Sequence, residues 1–150
     1  MNELLQDAKE ELKRIDHLIY VTLKYTRTVD VFLSIIERMI NAYEFIVDVL
    51  LEIAVKEDKT TEKPDIPLTK AQLVLDNFES KKIKDNIEKY LMFRKLRRAK
   101  YEKRNEFRRH VTMSSIIDGQ VVEVHIDNIT EDYHNLQNFI EFIQKMIEEK

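Results

Sequence analysis

Phe32–Ile53, FLSIIERMINAYEFIVDVLLEI, is the stretch on which the fold turns. Its apolar residues Phe32, Ile35, Ile36, Met39, Ile40, Tyr43, Phe45, Ile46, Val49, Leu50 and Ile53 recur three and four apart, the period of a helix. They cover more than one stripe, so this helix is central and touched on several sides. Glu37, Arg38, Glu44, Asp48 and Glu52 interrupt Val31–Ala54, the greasiest region, and mark it as a buried helix rather than a bilayer span.

Upstream, Leu5, Ala8, Leu12, Ile15, Ile19, Thr22 and Thr26 fall on one stripe of a long first helix. The β-branched residues of Tyr25–Asp30 lower helix propensity, and Thr28 is suited to cap a second helix, with an unbroken path as the alternative. Downstream, Lys56–Leu68 is polar and carries Pro64 and Pro67, which deny helix to the residues before them. Thr69-x-x-Gln72 has capping-box spacing and opens a short helix with Leu73, Val74 and Phe78. Ser80 caps the next, held in the core by Ile83, Ile87, Tyr90 and Leu91. Helical throughout, Lys81–Arg109 would extend about 40 Å at 1.5 Å per residue, its basic half projecting beyond the bundle or lining a groove.

Helical periodicity stops at His110. Val111–Ile117, Asp118-Gly119 and Gln120–Ile126 read as a hairpin about a type I′ turn, with Val111, Met113, Ile117, Val122, Val124 and Ile126 on one face. Thr112, Ser114, Glu123 and His125 take the other. The last helix is expected to begin near Asn128, with Asn128-x-x-Glu131 as its box and Ile129, Tyr133, Leu136, Ile140, Ile143 and Ile147 as its stripe. The expectation is all-α: a bundle of four or five helices with one short β-hairpin before the C-terminal helix. It forms a single domain over 1–150, with a linker at about 56–68 and the hairpin at about 111–126.

A chain of 150 residues suits one self-sufficient core. Cysteine is absent, which excludes disulfides and thiolate chemistry and fits the cytoplasm. The charged start, Met1–Glu10, lacks the apolar run of a signal peptide, so no membrane partner is expected. Gly119 is the only glycine, which leaves no phosphate-binding glycine loop. Glu131-x-x-His134 has di-iron spacing without a second copy, so neither metal nor other cofactor is expected.

Charge singles out one region. Arg94–His110 holds nine Lys/Arg against two Glu, a balance of +7 in a chain whose total is −3. Arg94, Arg97, Arg98, Lys100, Arg108 and Arg109 are candidate phosphate contacts, with Tyr101 and Phe107 as aromatic faces for stacking on unpaired bases. Local pairing of Glu102 and Glu106 with neighbouring cations, on a solvated face, is the structural alternative.

Arg104-Asn105-Glu106-Phe107-Arg108-Arg109-His110 resembles the Arg-x(4–6)-His signature of HEPN domains, in which a polar residue often follows the Arg. The helical layout, with the motif late in the penultimate long helix and a closing amphipathic helix, is similar as well. The resemblance implies a HEPN-like RNA-binding domain acting on single-stranded RNA as a homodimer, either as a metal-independent endoribonuclease or without catalysis. It implies His110 as the proton-exchanging group, Arg104 as the stabiliser of charge on phosphorus, and Asn105 as an orienting residue. It also admits a cognate regulatory protein, although Thr112 stands where a His-x-Tyr extension would place tyrosine. On an ideal helix Arg104 and His110 lie about 240° apart, so the pair meets only where the helix has ended or a partner chain contributes. The other function class is a non-catalytic interaction or scaffold module with a basic face.

Overall fold

In the computed structural model, which describes residues 1–149, five helices surround one core, with a three-stranded antiparallel sheet at one end. Helix α1 (Asn2–His17) runs on through a π-helical stretch, Leu18–Thr22, and a last turn, Leu23–Tyr25. It ends where the β-branched residues weaken it, and α2 (Val29–Lys56) starts after Thr28. The remaining elements are α3 (Pro67–Asn77), α4 (Lys81–Arg98), β1 (Tyr101–Arg104), β2 (Thr112–Ile117), β3 (Gln120–His125) and α5 (Ile126–Glu148).

Helix α2 is the axis of the core, with Phe32, Ile35, Ile36, Met39, Ile40, Tyr43, Ile46, Val49, Leu50 and Ile53 all buried. Helix α1 lies antiparallel to it, since the Met1 ammonium meets Glu52 at 3.1 Å while Glu11 meets Arg38 at 3.5 Å. The other flanks of α2 are taken by α3, α4 and α5. The width of its apolar face is thus used within the chain. Tyr43 stands among Tyr90, Phe93 and Phe139, with ring centroids 6.0, 6.4 and 6.3 Å away, and joins three helices.

The hairpin has the expected two-residue turn. Ile117 pairs with Gln120, and Asp118 and Gly119 take φ values of 53° and 81°, which the Asp-Gly pair accommodates. Val111, Met113, Ile117 and Val124 face the core. Ile126 is the first residue of α5 rather than the end of a strand.

The long basic helix does not form: α4 stops at Arg98, and the chain re-enters as β1 along the free edge of β2. A helix continued to Arg109 would stack Arg97, Lys100, Arg104 and Arg108 at spacings of three and four, where like charges repel. As a strand, Tyr101–Arg104 instead satisfies the backbone groups that β2 would leave unpaired. Three caps also differ from expectation. Helix α3 starts at Pro67, two residues ahead of Thr69, and Gln72 bonds Asp76 at 2.9 Å instead of closing a box. Helix α5 starts two residues ahead of Asn128, capped by His125, whose Nδ1 accepts the Asn128 N–H at 3.3 Å while Asn128 Oδ1 accepts the His125 N–H at 2.9 Å. Thr28 occupies the N-cap position of α2 but gives no side-chain bond; Glu106 supplies it from the β1–β2 loop. Ser80 caps α4 as expected, its Oγ accepting the Ile83 N–H at 3.3 Å.

Candidate functional site

The β1–β2 loop carries the Arg-Asn…His motif, and two bonds lock it onto the α1–α2 junction. The Phe107 N–H donates to the Arg27 carbonyl at 2.7 Å, and Glu106 Oε2 accepts the Val29 N–H at 3.0 Å. Asn105 and Phe107 take left-handed φ values of 57° and 69° to turn the chain between these anchors. Val111, fully buried, then fixes the loop's far end beside His110.

Sheet register does the rest. Arg104 pairs with Thr112, and Thr112 with His125, so the three stand in one cross-strand row on the face away from the core. At that end of the sheet a cleft of about 270 Å³ is lined by Arg109, His110, Thr112, His125, Ile126 and Asp127. A neighbouring hollow of about 330 Å³ shares Arg109, Ile126 and Asp127 and adds Lys24, Arg27 and Tyr20. Together they set three cationic side chains against one carboxylate, beside the start of α5, whose helix dipole also favours an anion.

Each sequence-derived candidate has a definite place. His110 lines the cleft; its carbonyl accepts the Thr112 hydroxyl at 2.8 Å, and its ring is exposed. Arg104 lies on the edge strand, its guanidinium held by Glu123, two residues before His125. Asn105 is exposed at the turn, where its carbonyl accepts the Arg108 N–H at 3.2 Å. The helical 240° separation of Arg104 and His110 no longer applies, because neither residue is on a helix. His125, which the sequence places only on the outer face of the hairpin, also lines the cleft. Because its Nδ1 accepts the Asn128 N–H, the proton of the neutral ring sits on Nε2.

The basic run divides in two. Arg94 pairs with Glu44 at 2.8 Å, Lys95 with Asp118 at 2.6 Å and Arg97 with Glu37 at 3.2 Å; Lys103, Arg104 and Arg109 pair with Glu106, Glu123 and Asp127. Arg94 is nearly buried and Arg97 about one-third exposed, so neither is the freely solvated side chain that a projecting helix would carry. Among the described residues Arg98, Lys100 and Arg108 make no ion pair, and all three are exposed. Tyr101 and Phe107 are 36% and 76% exposed, which leaves both rings open to a stacked partner.

No cluster of three or more metal-ligating side chains occurs among the described residues, and His134 bonds the Tyr20 hydroxyl at 3.0 Å. No described helix is long and apolar enough to cross a membrane. The chain matches no family model, no curated protein and no solved structure.

Proposed function

We propose that the chain binds single-stranded RNA at the cleft beside the start of α5 and cleaves it without a metal. The observation that carries this reading is the meeting of His110 and His125 in one cleft with Arg109 and Thr112. His110, exposed, takes the proton from a ribose 2′-hydroxyl. The freed oxygen attacks phosphorus, and the leaving 5′ oxygen recovers a proton from His110 or water, giving a cyclic phosphate and a free 5′-hydroxyl. Arg109 and the Nε2–H of His125 donate to the phosphate oxygens as their charge builds. Arg104 joins them by exchanging the Glu123 carboxylate for phosphate. Asn105 sits at the loop's turn, where it sets the orientation of the loop bearing His110. Arg98, Lys100 and Arg108, with Tyr101 and Phe107, hold flanking nucleotides; Arg94 and Arg97, engaged by Glu44 and Glu37, are not part of this surface.

On this reading the protein works in the cytoplasm, with two copies meeting over the sheet, where Ile116 and Val121 are paired with each other and 70% and 67% exposed. A cognate regulatory protein would act by covering the cleft. Single-turnover cleavage of a labelled single-stranded RNA in EDTA tests the function. Arg109→Ala is expected to weaken binding, and His125→Asn, which keeps a capping side chain, to slow cleavage. Six of the nine cations in the basic run are paired inside the chain, and this favours the second reading, a non-catalytic interaction module. Binding of an acidic protein surface with no RNA affinity at low salt would select it.

A further inference from the structure

The hollow that adjoins the cleft, about 330 Å³ in volume, carries charge that the chain leaves unbalanced. Lys24, Arg27 and Arg109 line it against a single carboxylate, Asp127, so three cations less one anion leave a net +2. Asp127 is engaged by Arg109 at 3.6 Å. Lys24 and Arg27 make no ion pair among the described residues.

Arg27 is the best prepared of the three. Its Nε–H donates to the Leu23 carbonyl at 3.2 Å, which orients the half-buried guanidinium, and its terminal N–H groups have no protein acceptor among the described residues. Its own carbonyl accepts the Phe107 N–H at 2.7 Å, so the backbone beneath it is held as well. A guanidinium oriented in advance loses little freedom when it takes two oxygens of one anion. Buried Ile19 and Leu23 and half-buried Ile126 supply an apolar wall, beside which charges attract more strongly than in open water. Ile19 and Tyr20 come from the π-helical stretch Leu18–Thr22, a local geometry frequent at functional sites.

Charge selects the ligand. A phosphodiester inside a chain has one negative charge, whereas a phosphate monoester has nearly two at neutral pH and three acceptor oxygens, a match for the net +2 and the three cationic side chains. The volume is at the small end of ligand sites, which begin near roughly 300 Å³, and leaves room for the sugar that bears the phosphate.

We infer that this hollow binds a phosphate monoester, carried on the end of an RNA or on a free nucleotide. Phosphate binding stands without the proposed cleavage; its use for an RNA end rests on that reading.

Titration of the ¹⁵N-labelled protein with uridine 5′-monophosphate, against sodium chloride at equal ionic strength, tests the site. Saturable amide shifts around Leu23, Arg27 and Thr130 are expected, and uridine alone should give none. Arg27→Gln and Lys24→Gln should each weaken binding by about tenfold or more. Lys24 is exposed, which keeps the test decisive if Arg27→Gln does not fold. Lys145→Gln, the same loss of charge in the last turn of α5, should leave affinity unchanged. Short 2′-O-methyl oligouridylates, which cannot be cut, separate the two sources. Tighter binding of the phosphate-ended oligomer than of the hydroxyl-ended one, by about tenfold, supports the site with an RNA end as its ligand. Equal binding of the two oligomers beside saturable nucleotide binding supports it with a free nucleotide. No saturable shift up to about 10 mM nucleotide, or undiminished affinity in a folded Arg27→Gln or Lys24→Gln protein, would overturn the inference. RNA binding that persists in that case separates this failure from a failure of the RNA reading.

Discussion

Replacing Glu106 with alanine should cost about 1.5–2.5 kcal/mol of stability, and the structure says why. Glu106 Oε2 accepts the N–H of Val29, the first residue of α2, at 3.0 Å, and Val29 is fully buried. Loss of an ordinary N-cap costs about 0.5–2 kcal/mol. Here water has poor access to the orphaned N–H, so the penalty moves toward the roughly 1–3 kcal/mol of an unsatisfied buried donor. The carboxylate also faces the positive end of a 28-residue helix, an attraction of about 0.3–1 kcal/mol that overlaps the other terms rather than adding to them. For a domain of this size the melting temperature should fall by about 4–8 °C. Glu106→Gln keeps the accepting oxygen and should recover more than half of the loss. Urea unfolding of the parent and both variants measures it, and exchange of the Phe107 amide should quicken in the alanine variant as the loop loosens. A loss below about 0.5 kcal/mol, or a glutamine variant as unstable as the alanine one, would refute the capping argument.

RNA affinity should fall with salt at a log–log slope of about −2 if three single-strand phosphates are contacted. Changing Arg98, Lys100 and Arg108 together to alanine should flatten that slope without lowering the melting temperature, because none of them makes an ion pair; an unchanged slope would move the contacts elsewhere. Asp132, whose carboxyl is pushed above the ordinary 3.8 by burial against only partial relief from Lys89 at 3.2 Å, costs stability when ionised. The folded state therefore binds this proton more tightly than the unfolded chain, and the cost appears as pH rises through 3.8 and the higher folded value. Asp132→Asn should accordingly melt higher than the parent at pH 7 and lose that advantage below pH 3.8, as scanning calorimetry would show. Sedimentation at micromolar concentration should show a dimer that Val121→Lys dissociates; a parent that stays monomeric would remove the sheet as the contact.

The helices were legible because burial imposes a period, and Phe32–Ile53 displays it without ambiguity. The hairpin was legible because Asp118-Gly119 needs positive φ at both positions and the alternation on either side agrees. The edge strand was not. Tyr101–Arg104 has one strand-favouring residue, Tyr101, and no buried face, and it is a strand because β2 has an open edge beside it, a tertiary cause with little local signal. The caps by His125 and Glu106 escaped for related reasons: histidine is outside the usual capping set, and Glu106 acts 77 residues away from the helix it caps. In the site, His110 and Arg109 were singled out from the sequence and both line the cleft. His125 was missed because its pairing across Thr112 appears only once the sheet register is known. Charge counting overstated the basic surface, since Glu37 and Glu44 lie far from the run in sequence and meet it in space, and Asp118 reaches it from the hairpin turn.

The proposed metal-independent cleavage rests on His110. The most direct measurement is the single-turnover rate of RNA cleavage in EDTA by the parent and by His110→Ala, with binding followed in the same samples. Cleavage by the parent, a loss of about a hundredfold or more in the variant, and affinity within a few-fold of the parent's are expected, since proton transfer acts only in the transition state. Equal rates in the two proteins, or a parent that leaves RNA intact with and without added Mg²⁺, would contradict it.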